Sequence, residues 1–340
     1  MAAQGNGHDA EAVQIKESPF AYENAEFLNS PDGRLFRIMS EYQEPMARFR
    51  RERIQDTVVF FGSARFRALD VATNDLQLLE NTGSSKPAPE PEQPARAEER
   101  EGGEVSARRL RLAEAAVEMA AYYEDARRLA GLLARWAKTL PGRRHRFVVT
   151  SGGGPGIMEA ANRGASESGC KSIGLNIRLP FEQQPNPYIT PELSFTFHYF
   201  FMRKFWFAYL AKALVVFPGG FGTLDEMFEL LTLAQTHKLA KKITVVIYGS
   251  AYWKSVINLE AMADRGAIAL KDLDLFRFAD TPEEAFELLK EGLADYLKPG
   301  GAAELASAAE LGGASREEAV PSYPAPSAQE ILGPDIARTR

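Results

Sequence analysis

Residues 214–226, LVVFPGGFGTLDE, restrict the possible folds of this chain more than any other stretch. Four apolar residues, Leu214 to Phe217, run directly into Pro218-Gly219-Gly220-Phe221-Gly222-Thr223, and an amphipathic pattern follows at once. The order reads as a buried strand, a tight glycine turn and the first turn of a helix. Such a corner leaves backbone N–H groups unpaired at the positive end of a helix dipole, where an anion can sit. Gly219, Gly220 and Gly222 carry no Cβ to keep a ligand off the backbone, and Thr223 adds a hydroxyl. Asp225 and Glu226 then place carboxylates beside whatever the corner holds. A phosphate cradle with an acid next to it points to chemistry on a phosphorylated small molecule.

The same signature recurs. TVVFFG at 57–62 ends in Gly62-Ser63-Ala64-Arg65, and RFVVT at 146–150 runs into Ser151-Gly152-Gly153-Gly154-Pro155-Gly156. Further strands are expected at 172–177, 193–198, 213–218 and 243–248. The spacing of apolar residues predicts helices over 35–54 (broken by Pro45), 108–139, 157–169, 199–212, 223–237, 251–265 and 282–296. Strands that read as continuous apolar runs and alternate with helices imply a parallel sheet covered on both faces. The expected fold class is therefore α/β: a Rossmann-like, mostly parallel sheet with helices on both faces, in a single domain. Glycine turns at strand C-termini put the site on the edge where open α/β sheets bind ligands.

Composition narrows the folded part of the 340 residues. Residues 80–106 and 300–340 are rich in Pro, Glu, Ala, Gly and Ser and poor in large apolar side chains, and residues 1–17 look similar. Such segments bury too little surface to offset their ordering entropy. The expected division is a disordered N-terminus at 1–17, a helical segment at 18–56 packed on the core, one domain at 57–298 with a flexible insertion at 70–107, and a disordered tail at 299–340. A net charge of −6 argues against nucleic acid as a partner. The basic run Arg143-Arg144-His145-Arg146 reads as a solvated loop. Cys170 is the only cysteine, and no His/Asp/Glu set has metal-ligand spacing, so neither a disulfide nor a metal is expected. No apolar run approaches the roughly 20 residues of a spanning helix, and MAAQGNGHDAEAV lacks a hydrophobic signal core. The expectation is a cytoplasmic protein without a membrane partner.

Neither glycine turn is followed by the Lys-Ser/Thr of a nucleotide-triphosphate loop, and no ribose-binding acid marks a dinucleotide site. Arg203 and Lys204 sit in an otherwise aromatic helix, FMRKFWFAYL. Two readings are open: a pair that snorkels at the edge of an apolar face, or an Arg203 turned inward to meet phosphate or carboxylate with its planar fork. Asp225 and Glu226 could do no more than complement the helix dipole. Phe201, Phe205, Trp206 and Phe221 suit either a base pocket or a core.

At residues 152–159 (GGGPGIME), Arg203-Lys204 and residues 218–226 (PGGFGTLDE), the chain resembles the LOG family of cytokinin riboside 5′-monophosphate phosphoribohydrolases, formerly labelled lysine decarboxylases. The likeness runs over about residues 57–298, and FLNS at 27–30, Gly33-Arg34 and FGSAR at 61–65 look like a longer bacterial branch. The resemblance implies a Rossmann-like homodimer that hydrolyses the N-glycosidic bond of a nucleoside 5′-monophosphate, without a cofactor. It implies Arg203 and Glu226 as catalytic residues. Substrate-binding positions follow at Gly153, Gly154, Glu182, Lys204, Gly219, Gly220, Phe221, Gly222, Thr223, Leu224, Asp225 and Thr232. Two rivals stay in view: a related protein that binds a nucleotide without turnover, and a pyridoxal-phosphate decarboxylase, for which no lysine motif is visible.

Overall fold

The computed structural model describes residues 18–82, 102–179, 184–238 and 241–298. They form two units, one reaching to Gln43 and one starting at Glu44. In the first, helix α1 (Ala25–Asn29) is capped by Asn24, whose side chain accepts from the Phe27 amide, and Arg37 donates to the Leu28 and Ser30 carbonyls. Helix α2 (Arg34–Arg51) crosses the boundary and runs straight through Pro45, where a break was expected. A proline inside a helix forfeits one backbone bond, and the burial of Pro45 and Phe49 offsets that loss. Phe49 lies 5.0 Å from the Phe195 ring and 5.3 Å from Trp206.

The second unit is built on a seven-stranded sheet in the order β4-β3-β2-β1-β5-β6-β7, with every neighbouring pair parallel. The strands are β1 (Thr57–Phe61), β2 (Val148–Ser151), β3 (Ser172–Ile177), β4 (Ser194–Phe197), β5 (Ala211–Val216), β6 (Thr244–Tyr248) and β7 (Phe276–Ala279). Burial on both faces is what β1, TVVFF, requires, since none of its five residues is polar enough to face water except Thr57. From β1 the chain steps outward through β2, β3 and β4, then returns to place β5 on the other side of β1. The strand order reverses between β1 and β5, the position at which open α/β sheets leave a crevice at the strand C-termini.

Helices α3 (Leu69–Thr82), α4 (Gly102–Thr139), α5 (Ile157–Glu167), α6 (Phe200–Tyr209), α7 (Phe221–Gln235), α8 (Ser250–Val256), α9 (Leu259–Asp264) and α10 (Pro282–Leu293) complete the unit. The core under α4 and α5 holds Val58, Phe60, Leu129, Leu133 and Phe217, with Trp136 stacked on Phe147 at 5.5 Å.

Several expectations need correction. The segment 70–107 is not one flexible insertion: α3 fills 69–82 and packs on α4, which already starts at Gly102. Residues 83–101 lie outside the described residues, as do 1–17 and 299–340. The helix expected at 251–265 is two helices, because Asn258 leaves helical geometry and caps α9 by accepting from the Ala261 amide at 2.8 Å. Strand β7, FRFA, was not foreseen; it is four residues long, with Arg277 in its middle, on the sheet edge. The basic run 143–146 is not all solvated. Arg146 donates to Asp56 Oδ2 at 2.8 Å, with only 14% of its side chain exposed against 1% for Asp56. Asp56 Oδ1 also accepts from the Phe147 amide at 2.6 Å, and Phe147 is held at φ 51°, a left-handed value unusual for an aromatic residue. No helix of the described residues is long and apolar enough to cross a membrane.

Candidate active site

Three turns meet at the reversal point. After β1, the Ser63 amide donates to Pro218 O (3.0 Å), and Ser63 O accepts from the Ile157 amide (3.0 Å). One residue thus ties the glycine turn after β2 to the glycine turn after β5. The turn after β2 is fixed from the other side by buried amides. Ser151 Oγ donates to Asn162 Oδ1 (2.6 Å) and accepts from the Gly153 amide (3.0 Å). Asn186 donates from its backbone to Gly153 O (2.9 Å), and from its side chain to Gly154 O and Asn162 Oδ1, both at 3.0 Å. Gly153 and Gly154 are buried, and their carbonyls are taken inside the protein. Through these bonds the two glycines shape the corner.

Arg203 enters this corner from α6. Its Nε donates to Leu175 O at the end of β3 (2.8 Å), and its guanidinium lies over the Phe207 ring at 5.1 Å. A Cβ built on Gly152 would stand 2.6 Å from Arg203 Nη2. The glycine is the space the guanidinium occupies, so of the two readings Arg203 takes the inward one. Gly152→Ala should displace Arg203 with little change in the sheet. We expect the Arg203 bond to Leu175 O to be lost while far-UV circular dichroism is unchanged; a crystal structure of the variant and the spectrum check both.

Helix α7 has two distinct faces. Thr223, Glu226, Met227 and Leu230 are its buried residues, a spacing that makes one stripe. Phe221, Leu224, Asp225, Phe228, Glu229 and Thr232 line the other face with Lys204, around an open groove of about 590 Å³. Phe221 is 93% exposed there. Trp206, in contrast, is core. Gly219 is needed for packing, since a Cβ would collide with the Thr223 side chain, whereas Cβ positions at Gly220 and Gly222 face open space. The structure therefore separates the expected site residues into two groups: Arg203, Glu226, Thr223 and the glycine turns at the crevice, and Lys204, Phe221, Leu224, Asp225 and Thr232 along the groove. Glu182 lies outside the described residues.

Glu226 is a carboxyl on an apolar stripe, 8% exposed. Burial raises its pKa from 4.5 to about 7, more than the opposing pull of the Lys204 and Arg203 charges. Burial also lowers the Arg203 pKa, against the partial support of the Glu226 charge. Lys204 Nζ is 2.8 Å from Asp225 Oδ2 and 2.5 Å from Glu229 Oε2, an arrangement that raises its own pKa despite desolvation. A buried acid titrating near neutrality has a stability consequence. The folded pKa lies above the unfolded one, so Glu226 penalises folding increasingly from about pH 4.5 to about pH 7 and fully above that. Glu226→Gln should then stabilise the protein by roughly 3 kcal/mol at pH 8 and by almost nothing at pH 4; urea unfolding at the two pH values reads the difference.

Fold and site together define a Rossmann-like α/β protein with a glycine corner, a half-buried arginine and a buried acid at the reversal point of its sheet. Residues 158–289 match the family described as "Possible lysine decarboxylase". That span holds Arg203, Lys204 and all of PGGFGTLDE. Among solved structures it is similar to the X-ray structure of TM1055, a structural-genomics target (21% identity, 49% of this chain and 86% of that chain covered, TM-score 0.36). It is also similar to the Moco carrier protein from Chlamydomonas reinhardtii (22% identity, 51% and 88% covered, TM-score 0.36). No curated protein sequence matches it.

The decarboxylase in that description would require pyridoxal phosphate on a Schiff-base lysine. The lysine at this site, Lys204, is tied between two carboxylates. Half-buried Lys241, its pKa pushed well down by desolvation, precedes β6 at the N-terminal end of the strand and donates to Ala208 O and Tyr209 O. These residues do not fit that cofactor at this corner.

Proposed function

We propose that the protein is a nucleoside 5′-monophosphate phosphoribohydrolase, acting on AMP or an N6-modified AMP to release the free base and ribose 5-phosphate. The observation that carries this reading is Glu226: a buried carboxyl with a pKa of about 7, one turn into the helix that opens at the glycine corner. In the reaction the bond between C1′ and the base nitrogen breaks with its electron pair leaving on the base. Water adds to C1′, one of its protons is lost, and the base gains one. The sugar passes through an oxocarbenium-like cation, as in other glycoside hydrolyses. Ionised Glu226 stabilises that cation or takes the proton from water. The amides opening α7 hold the 5′-phosphate, with Gly220 and Gly222 leaving room for its approach. Arg203 supplies a fixed positive charge near Glu226.

This reading further takes the molecule to act as a homodimer in the cytoplasm. Incubation of the purified protein with a panel of nucleoside 5′-monophosphates, followed by chromatography of the released base, tests it. Adenine and ribose 5-phosphate in equal amounts from AMP are expected. Tight AMP binding with no base released would instead indicate a nucleotide-binding protein.

A further inference from the structure

We propose that Glu229 is a positioning residue: together with Asp225 it holds the Lys204 ammonium on the groove face of α7 and keeps it from pairing with Glu226. The inference rests on the reading of Glu226 as the working acid, and it adds a residue that neither the motif nor the family resemblance assigns.

The geometry is specific. Asp225 and Glu229 are four residues apart on α7 and so stand one above the other on the groove face. Lys204 reaches across from α6 and lies between them, 2.8 Å from Asp225 Oδ2 and 2.5 Å from Glu229 Oε2. Lys204 is also close enough for its charge to act on Glu226, one position along from Asp225 on the buried stripe. The charged groups that bear on Glu226 are Arg203 and Lys204 from α6 and Asp225 and Glu229 from α7. Arg203 is held by Leu175 O, while Lys204 has a flexible stem and goes where the carboxylates draw it. Asp225 is the more exposed of its two partners, 59% against 36% for Glu229, so Glu229 is the better-shielded anchor. With Glu229 neutral, two effects act in the same direction. A like charge beside Glu226 is lost, and of the two carboxylates that draw the ammonium to the groove face only the more exposed one, Asp225, remains, so the ammonium is freer to swing toward Glu226.

Direct titration of the Glu226 carboxyl by 13C NMR decides the matter without substrate. We expect Glu229→Gln to lower the Glu226 midpoint by about one pH unit or more, the effect of bringing a cation within ion-pair reach. Glu229→Asp, which keeps the charge, should restore most of it. In the double variant Glu229→Gln/Lys204→Met there is no ammonium to release, and the midpoint should return close to the wild-type value. A Glu229→Gln midpoint that does not move, or a double variant that falls as far as the single one, would overturn the proposal. If base release from AMP is found, the acidic limb of its pH profile should follow the same shifts. If no release is found, the titration still stands on its own, so failure of the activity and failure of this proposal are told apart.

Discussion

Glu226→Gln is expected to lower the rate of base release by roughly a thousandfold while AMP binding changes by less than about threefold. The argument has three parts. Gln keeps the shape and hydrogen-bonding reach of the side chain, and the glycine corner that would hold phosphate belongs to other residues. Only the charge that meets a developing sugar cation is removed, and that charge matters in the transition state more than in the bound ground state. The same reasoning fixes the pH dependence. The useful form is the carboxylate, so wild-type kcat should rise as pH passes through about 7 and level off above it. Turnover is read by base release and binding by calorimetry. A variant within tenfold of wild-type turnover would remove Glu226 from the chemistry.

Asp56→Ala is expected to destabilise the fold by about 3–5 kcal/mol. Asp56 is 1% exposed and accepts from the Arg146 guanidinium and from the Phe147 amide. Its loss leaves a largely buried cation and a buried N–H without an acceptor. It also removes what holds Phe147 at its left-handed φ of 51°. Lys212 and Lys241, both with pKa values lowered by burial, feel the Asp56 charge as well, so like-charge repulsion grows when it goes. Urea unfolding measures the loss. Combining Asp56→Ala with Arg146→Met should recover part of it, because the cation is then gone too.

The parts of this molecule that were legible in its sequence are those written in local pattern. TVVFF, RFVVT and LVVFP announce buried parallel strands because apolar residues on both faces leave no alternative. PGGFGTLDE announces its corner because the turn, the helix start and the acid are contiguous. Arg203 was suspicious as a cation among aromatics. What stayed hidden depends on partners distant in sequence. Asn186 looks like any loop residue until the chain folds it against Gly153 and Gly154, and Arg146 looks solvated until Asp56, 90 residues earlier, comes beneath it. Glu229 was discoverable, since it lies four residues after Asp225 on the same helix, but only knowledge of where Lys204 points gives that spacing a meaning. Helix α3 was lost in a composition average that let the Pro/Glu-rich run beyond it dominate.

Ser63 gives the reversal point a mechanical character. Its amide is bonded to Pro218 and its carbonyl to Ile157, so a single residue clamps the acid-bearing corner to the β2 turn, whose Gly152 leaves room for Arg203. Any attempt to transplant the α7 corner into another Rossmann-like scaffold would have to carry this clamp and the β2 turn with it. The unit of inheritance here is a three-legged assembly, and no one leg keeps its geometry alone.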